Sequence, residues 1–163
     1  MSKQILFQKN TSSAAESEML GRELGELILS EGQNVTFVAM YGDLGAGKTA
    51  FVRGMSDVLT PGAIVTSPTY ALMNIYESGQ YTFYHLDLYR ITTDDDLWSI
   101  GFYELFDDRA VLGGKKTVIA AEWCENIPFG LPETYIRLTI LRTGDTERGI
   151  TAERIVHHED TGA

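Results

Sequence analysis

The chain has 163 residues, 44% hydrophobic and 22% charged, proportions of a folded globular protein long enough to close one core. Its 23 acidic against 13 basic residues give a formal charge of −10, which opposes any grip on a phosphate backbone; a role on nucleic acid predicts that another protein holds the polymer. No apolar stretch approaches a membrane span, MSKQILFQKN lacks the apolar region and cleavage site of a signal peptide, and the single Cys124 excludes an internal disulfide or a cysteine zinc site. The expectation is a cytoplasmic protein with no membrane contact, one domain over 1–163, and a flexible tail over 156–163.

Ile5-Leu6-Phe7 predicts a short first strand. Ser13 with Glu16 three residues on reads as a capping box, and Met19, Leu20, Leu24, Leu27 and Ile28 recur at helical spacing until Glu31-Gly32 ends the helix. Val35, Phe37, Val38, Ala39 and Met40 then form a strand that stops at Gly42.

The next eight residues, Gly42-Asp43-Leu44-Gly45-Ala46-Gly47-Lys48-Thr49, spell G-x-x-x-x-G-K-[ST], the phosphate-binding loop. Glycines permit backbone angles that turn successive N–H groups inward around a polyphosphate, and the start of the following helix adds its positive end. Lys48 reaches the β- and γ-phosphates, the Thr49 hydroxyl takes a place on Mg²⁺, and Ala50 continues into the helix. The context supports the motif over a chance Gly-rich turn: a β-rich run precedes it, and Phe51, Val52 and Met55 make an apolar face behind it. That helix is predicted from Lys48 to about Leu59, stopped by Thr60-Pro61-Gly62.

Thr66-Ser67-Pro68-Thr69-Tyr70 fits two readings, a nucleotide-sensing loop or a proline turn whose hydroxyls bond nearby backbone. A hairpin follows, Tyr70 to Tyr76 and Tyr81 to Leu88, turned by Glu77-Ser78-Gly79-Gln80. His85, Asp87 and Tyr89 share one face of its second strand, where they can orient water or simply meet solvent; His85 reads more readily as structural. Thr92 or Thr93 caps a helix opening with Asp94-Asp95-Asp96, acids that the helix dipole favours there, and Leu97, Trp98, Ile100, Phe102, Leu105 and Phe106 form its apolar side.

Thr117-Val118-Ile119-Ala120-Ala121 is the continuous apolar run of a strand buried on both faces, with Glu122 at its carboxyl end. Ligands of open α/β sheets bind at that edge, where an acid can hold Mg²⁺ through water in the Walker B role. Trp123 beside it can pack over the site or cover the core. Thr134 to Arg142 and Arg148 to Val156 alternate strictly and predict an antiparallel hairpin appended to the parallel part; His157-His158 reads as a solvated tail. The predicted fold is α/β: a three-layer P-loop NTPase architecture whose central, mostly parallel sheet is extended by antiparallel strands.

Together GDLGAGKT, SPTY, HLDLYR and AEW resemble the bacterial TsaE (YjeE) family, the ATPase component of tRNA threonylcarbamoyladenosine biosynthesis. The resemblance runs from the first helix to the C-terminal hairpin. It implies a small Mg²⁺-dependent ATPase, slow alone, acting with TsaD- and TsaB-like subunits that carry the tRNA, in threonylcarbamoylation of adenosine 37. It also implies Lys48 and Thr49 as phosphate and Mg²⁺ ligands, Thr69 in a switch-like loop, Asp87 as an acid needed for hydrolysis, Glu122 as the Walker B carboxylate and Trp123 as its neighbouring aromatic. After Trp123 the family usually continues with Pro and a charged stretch, where Cys124-Glu125-Asn126-Ile127 stands here.

A small-molecule or nucleotide kinase and a non-hydrolysing nucleotide-binding regulator would carry the same loop. Against the kinase, Arg90 is the only Lys or Arg from Met55 through Asp108, amid nine acids counting Asp108. No N-K-x-D element for guanine follows the loop, which favours ATP.

Overall fold

The apolar runs of the chain become seven strands of one sheet in the computed structural model, which describes residues 1–42, 47–68, 72–107 and 113–157. The elements are β1 (Ser2–Thr11), α1 (Ala14–Glu31), β2 (Val35–Gly42), α2 (Lys48–Leu59), β3 (Met73–Glu77), β4 (Tyr81–Asp87), α3 (Asp94–Ser99), β5 (Lys116–Glu122), β6 (Thr134–Arg142) and β7 (Arg148–Val156). The strand order is β1-β7-β6-β2-β5-β4-β3. The neighbours β6, β2, β5 and β4 pair in parallel, and β7, β1 and β3 extend this centre by antiparallel pairing. This is the expected α/β architecture.

One face of the sheet is covered by α1 and α2. Leu20, Leu24 and Ile28 of α1 and Phe51, Val52 and Met55 of α2 pack on Val38, Met40, Val118, Ala120, Ile136 and Leu138. The other face, with Phe37, Ala39, Ile119 and Ala121, is covered by Leu88, Ile91, Leu97, Phe102 and Ile127. The two helices meet through glycine. A Cβ on Gly21 would lie 2.1 Å from the Phe51 carbonyl oxygen, and one on Gly54 would lie 2.0 Å from that of Glu18. The seat of α2, and hence of the loop before it, depends on this close approach.

Local signals hold at the helix ends. The Ser13 hydroxyl caps α1 by accepting the Glu16 N–H, while the Glu16 carboxylate accepts from Ser12 N–H, one residue earlier than a standard capping box. Thr93 caps α3 reciprocally with Asp96.

Four differences from the sequence reading have physical causes. The first strand is longer than Ile5–Phe7, because its backbone pairs with β7 from Ser2↔Val156 to Thr11↔Arg148 whatever its side chains are. The helix after Thr93 is shorter, because Gly101 at φ 76 ends it and a 3-10 turn, Tyr103–Phe106, follows. Trp98 is not on an apolar side: it is 61% exposed, its indole N–H donates to Asp94 and its ring lies against Tyr103. Tyr103 also donates to Asp94, and that bond is the main reason its phenol is pushed up to about 12. Finally, the late hairpin is no appendage, since β6 lies directly beside β2 with Ile136, Leu138 and Ile140 buried. At its end His157 is exposed, its N–H donating to the Glu133 carbonyl and its ring over Tyr135; residues 158–163, including His158, lie outside the described residues.

Across β1, β7 and β6 runs a charge ladder: Lys3 Nζ lies 3.2 Å from Glu153 Oε1, and Arg137 Nε 2.9 Å from Glu153 Oε2. Burial pushes the Glu153 carboxyl up, but the bonds from Arg137 and Lys3 outweigh it and hold it below the ordinary glutamate value. Its charged form therefore stabilises the fold above that ordinary value, and the contribution fades as pH falls through the lowered one. We expect Glu153→Gln to flatten the acid limb of stability against pH, measured by urea unfolding from pH 7 downward. We also expect Gly54→Ala to destabilise the fold by about 1–3 kcal/mol, the usual cost of overpacking, in the same assay at pH 7.

Candidate functional site

The site lies at the carboxyl edge of the parallel strands, on the face that α2 covers. Gly42 ends β2 opposite Ile140 of β6, and a Cβ there would lie 2.2 Å from the Ile140 carbonyl oxygen. Only glycine lets β2 leave the sheet so close to its neighbour. Gly47, at φ 92, is the N-cap of α2 and offers no side chain to the first N–H groups of the helix. Between them Asp43, Leu44, Gly45 and Ala46 lie outside the described residues.

Lys48, Thr49 and Ala50 open α2. Thr49 is half-buried and Ala50 buried. Lys48 is 6% exposed and, among the described residues, its ammonium has no carboxylate partner; it sits 4.7 Å from the centroid of the Trp123 ring. An aromatic face offsets part of the cost of burying a cation, about 0.5–2 kcal/mol. It does not neutralise the charge.

The two acids singled out in the sequence come together on adjacent strands. Parallel pairing of β4 with β5 sets Asp87 beside Glu122, and pairing of β5 with β2 sets Glu122 beside Met40. Strand alternation puts Glu122 on the face of Ala120 and Met40, towards α2. The Asp87 carboxylate accepts the Tyr89 N–H at 3.0 Å, and Leu88 N–H donates to the Glu122 carbonyl at 3.1 Å, continuing the ladder one step further. Tyr89 then lies edge-on to Trp123, with ring centroids 5.3 Å apart.

Sequence reasoning missed the partner of Glu122. His85 is wholly buried, and its Nε2 is 2.7 Å from Glu122 Oε2. Its Nδ1 is buried without a hydrogen-bond partner among the described residues, a situation that costs about 1–3 kcal/mol. The available signal was the shared face of His85 and Asp87; the strand register that brings Glu122 to them has no local signature.

Past Glu122 the chain turns sharply. Trp123 adopts φ 64, unusual for a bulky side chain, and a 3-10 turn, Cys124–Asn126, follows. The Asn126 amide donates to the carbonyls of Leu88 (3.0 Å) and Tyr89 (3.2 Å), stitching this turn to the end of β4. The Cys124 thiol is buried and donates to the Ala121 carbonyl; burial pushes its pKa up, so it stays a thiol. The Asn126 backbone N–H donates to the Trp123 carbonyl at 3.0 Å and closes the turn on that residue. In the remaining loop, Thr66 N–H donates to the Tyr76 hydroxyl and Asn74 donates to the Thr66 carbonyl, but Thr69 and Tyr70 lie outside the described residues.

A comparison with protein families finds that the family described as "Threonylcarbamoyl adenosine biosynthesis protein TsaE" matches residues 11–150. The chain belongs to the TsaE family. Among its relatives, a TsaE protein of Bacillus subtilis is 36% identical over 114 residues, covering 70% of this chain and 66% of the relative. A TsaE protein of Treponema pallidum is 36% identical over 139 residues, covering 85% of this chain and 94% of the relative. Both are named for biosynthesis of threonylcarbamoyladenosine in tRNA. The crystal structure of Bacillus subtilis YdiB superposes with a TM-score of 0.69 at 24% identity, over 95% of this chain and 88% of that one, which establishes the shared fold.

The contact between Lys48 and Trp123 makes a spectroscopic prediction. The chain has two tryptophans, so Trp98→Phe leaves Trp123 as the sole indole. Its emission should change on adding nucleotide, as the ammonium leaves the ring. Saturable nucleotide binding with unaltered emission would contradict this placement of Trp123.

Proposed function

We propose that this chain is a single-domain, Mg²⁺-dependent ATPase that works with partner subunits in threonylcarbamoylation of adenosine 37 of tRNA. The observation that carries the reading is the nearly buried Lys48 ammonium, without a carboxylate partner among the described residues, at the same sheet edge as the Glu122–Asp87 pair. A buried cation in that state is poised for an anion. Membership of the TsaE family and the names of its relatives support the pathway.

In this reading the backbone N–H groups of Gly42 to Thr49, including Asp43, Leu44, Gly45 and Ala46, wrap the phosphates, and Lys48 exchanges the Trp123 face for phosphate oxygens. The Thr49 hydroxyl and Glu122 hold Mg²⁺, whose charge, when bound, offsets the charge developing on the phosphates. The residues fit that task, because the Oε1 of Glu122 makes no hydrogen bond among the described residues. Asp87 orients the attacking water, Trp123 packs beside the nucleotide, and Thr69 senses the γ-phosphate.

The acidic surface leaves tRNA to TsaD- and TsaB-like partners. No helix among the described residues is long and apolar enough to cross a membrane, and the proposed setting is the cytoplasm.

Lys48→Ala should abolish ATP binding or turnover. Asp87→Ala and Glu122→Ala should each lower Mg²⁺-dependent hydrolysis by about a hundredfold or more while changing nucleotide affinity far less. Hydrolysis should be slow for the isolated chain and stimulated by the partner subunits with tRNA. A chain that binds ATP but turns none over, with or without partners, would be a regulator instead.

A further inference from the structure

Glu122 is held by a ring whose other nitrogen makes no hydrogen bond among the described residues. His85 lies in the middle of β4, paired with Asn74 of β3 and Ala120 of β5, and is wholly buried. Buried polar atoms are ordinarily all paired, and an imidazole kept for packing alone would leave no reason to give up one nitrogen. Here Nδ1 has no hydrogen-bond partner among the described residues, and Nε2 is committed to Oε2 of Glu122 at 2.7 Å. A carboxylate oxygen accepts, so the proton of this bond belongs to Nε2. A hydrophobic residue of similar size would fill the place without that loss.

The register shows how the two side chains meet. Glu122 is level with Asp87, and His85 stands two residues behind Asp87 on the same face, level with the small Ala120. The contact is therefore a diagonal cross-strand pair, within reach of long side chains. Ala120 leaves room beside the ring. Glu122 itself is only 12% exposed, so its carboxylate can take few orientations, and His85 selects one in which Oε2 is engaged and Oε1 is left over.

We propose that His85 is a positioning residue for Glu122, fixing its carboxylate by the Nε2–H bond so that Oε1 is presented to the nucleotide-bound metal. This rests on the assignment of Glu122 to Mg²⁺ made above. Hydrogen bonds to ligating carboxylates order the ligand before the metal arrives, and losing such a partner typically weakens metal affinity by 10- to 100-fold.

The test is the Mg²⁺ concentration that half-saturates the complex of the protein with a fluorescent ATP analogue, alongside thermal unfolding. His85→Gln places an amide N–H near the Nε2 position, whereas His85→Asn reaches only the Nδ1 position. The proposal predicts half-saturation within about threefold of wild type for H85Q and raised about tenfold or more for H85N, with Mg²⁺-free nucleotide affinity unchanged in both. H85N should also add little to E122Q. A purely structural role would lower melting temperature without moving Mg²⁺ half-saturation, and that result overturns the proposal. So does equal half-saturation in H85Q and H85N when E122Q is impaired. If E122Q itself has the wild-type Mg²⁺ requirement, the assignment of Glu122 fails, and the proposal with it.

Discussion

The structure depends on the parallel pairing of β4, β5 and β2 in one register. That pairing sets Asp87 level with Glu122, and Glu122 level with Met40, two residues short of the end of β2. Slipping β4 or β5 by one residue would turn its acid to the opposite face, away from α2. The register is enforced by burial on both faces of β5, whose residues Thr117 to Ala121 are all buried, so a slip would exchange one set of packed side chains for another across two cores. The placement of the edge acids is thus secured by hydrophobic packing along the whole strand.

Around that edge the side chains are partnered in an unequal way. Lys48 rests on an aromatic ring, Glu122 on a single imidazole nitrogen, and Asp87 on a backbone N–H from its own turn. None of the three is locked into a direct salt bridge with another among the described residues. Charges in a low-dielectric setting interact strongly, and a tight Lys–Glu pair would have to be broken before either could meet phosphate or metal. The helices keep the arrangement rigid: Gly21 and Gly54 let α1 and α2 approach closely, and α2 carries Lys48 at its first turn.

What could be read from the sequence was local. The caps at Ser13 and Thr93, the extent of α2 and the alternation in β6 and β7 all follow from interactions within a few residues. Long-range pairing was less legible. Nothing in Thr134–Arg142 says that β6 inserts in parallel beside β2, and nothing in HLDLYR says that His85 will meet a carboxylate thirty-seven residues later. Helical spacing sets Trp98 among the apolar residues and does not say that its indole N–H will go to Asp94, one turn back in the same helix, and its ring to Tyr103. Asp87 and Glu122 could each be suspected alone; their adjacency required the register.

The central claim is that phosphate loop and edge acids form one nucleotide–metal site. A crystal structure with Mg²⁺ and a non-hydrolysable ATP analogue tests it most directly. The account predicts Lys48 moved from Trp123 to the phosphates, the Thr49 hydroxyl on the metal, and Glu122 joined to it directly or through one water while still bonded to His85. Nucleotide bound away from Gly42–Thr49, or a metal that neither Glu122 nor a water held by it approaches, would contradict it.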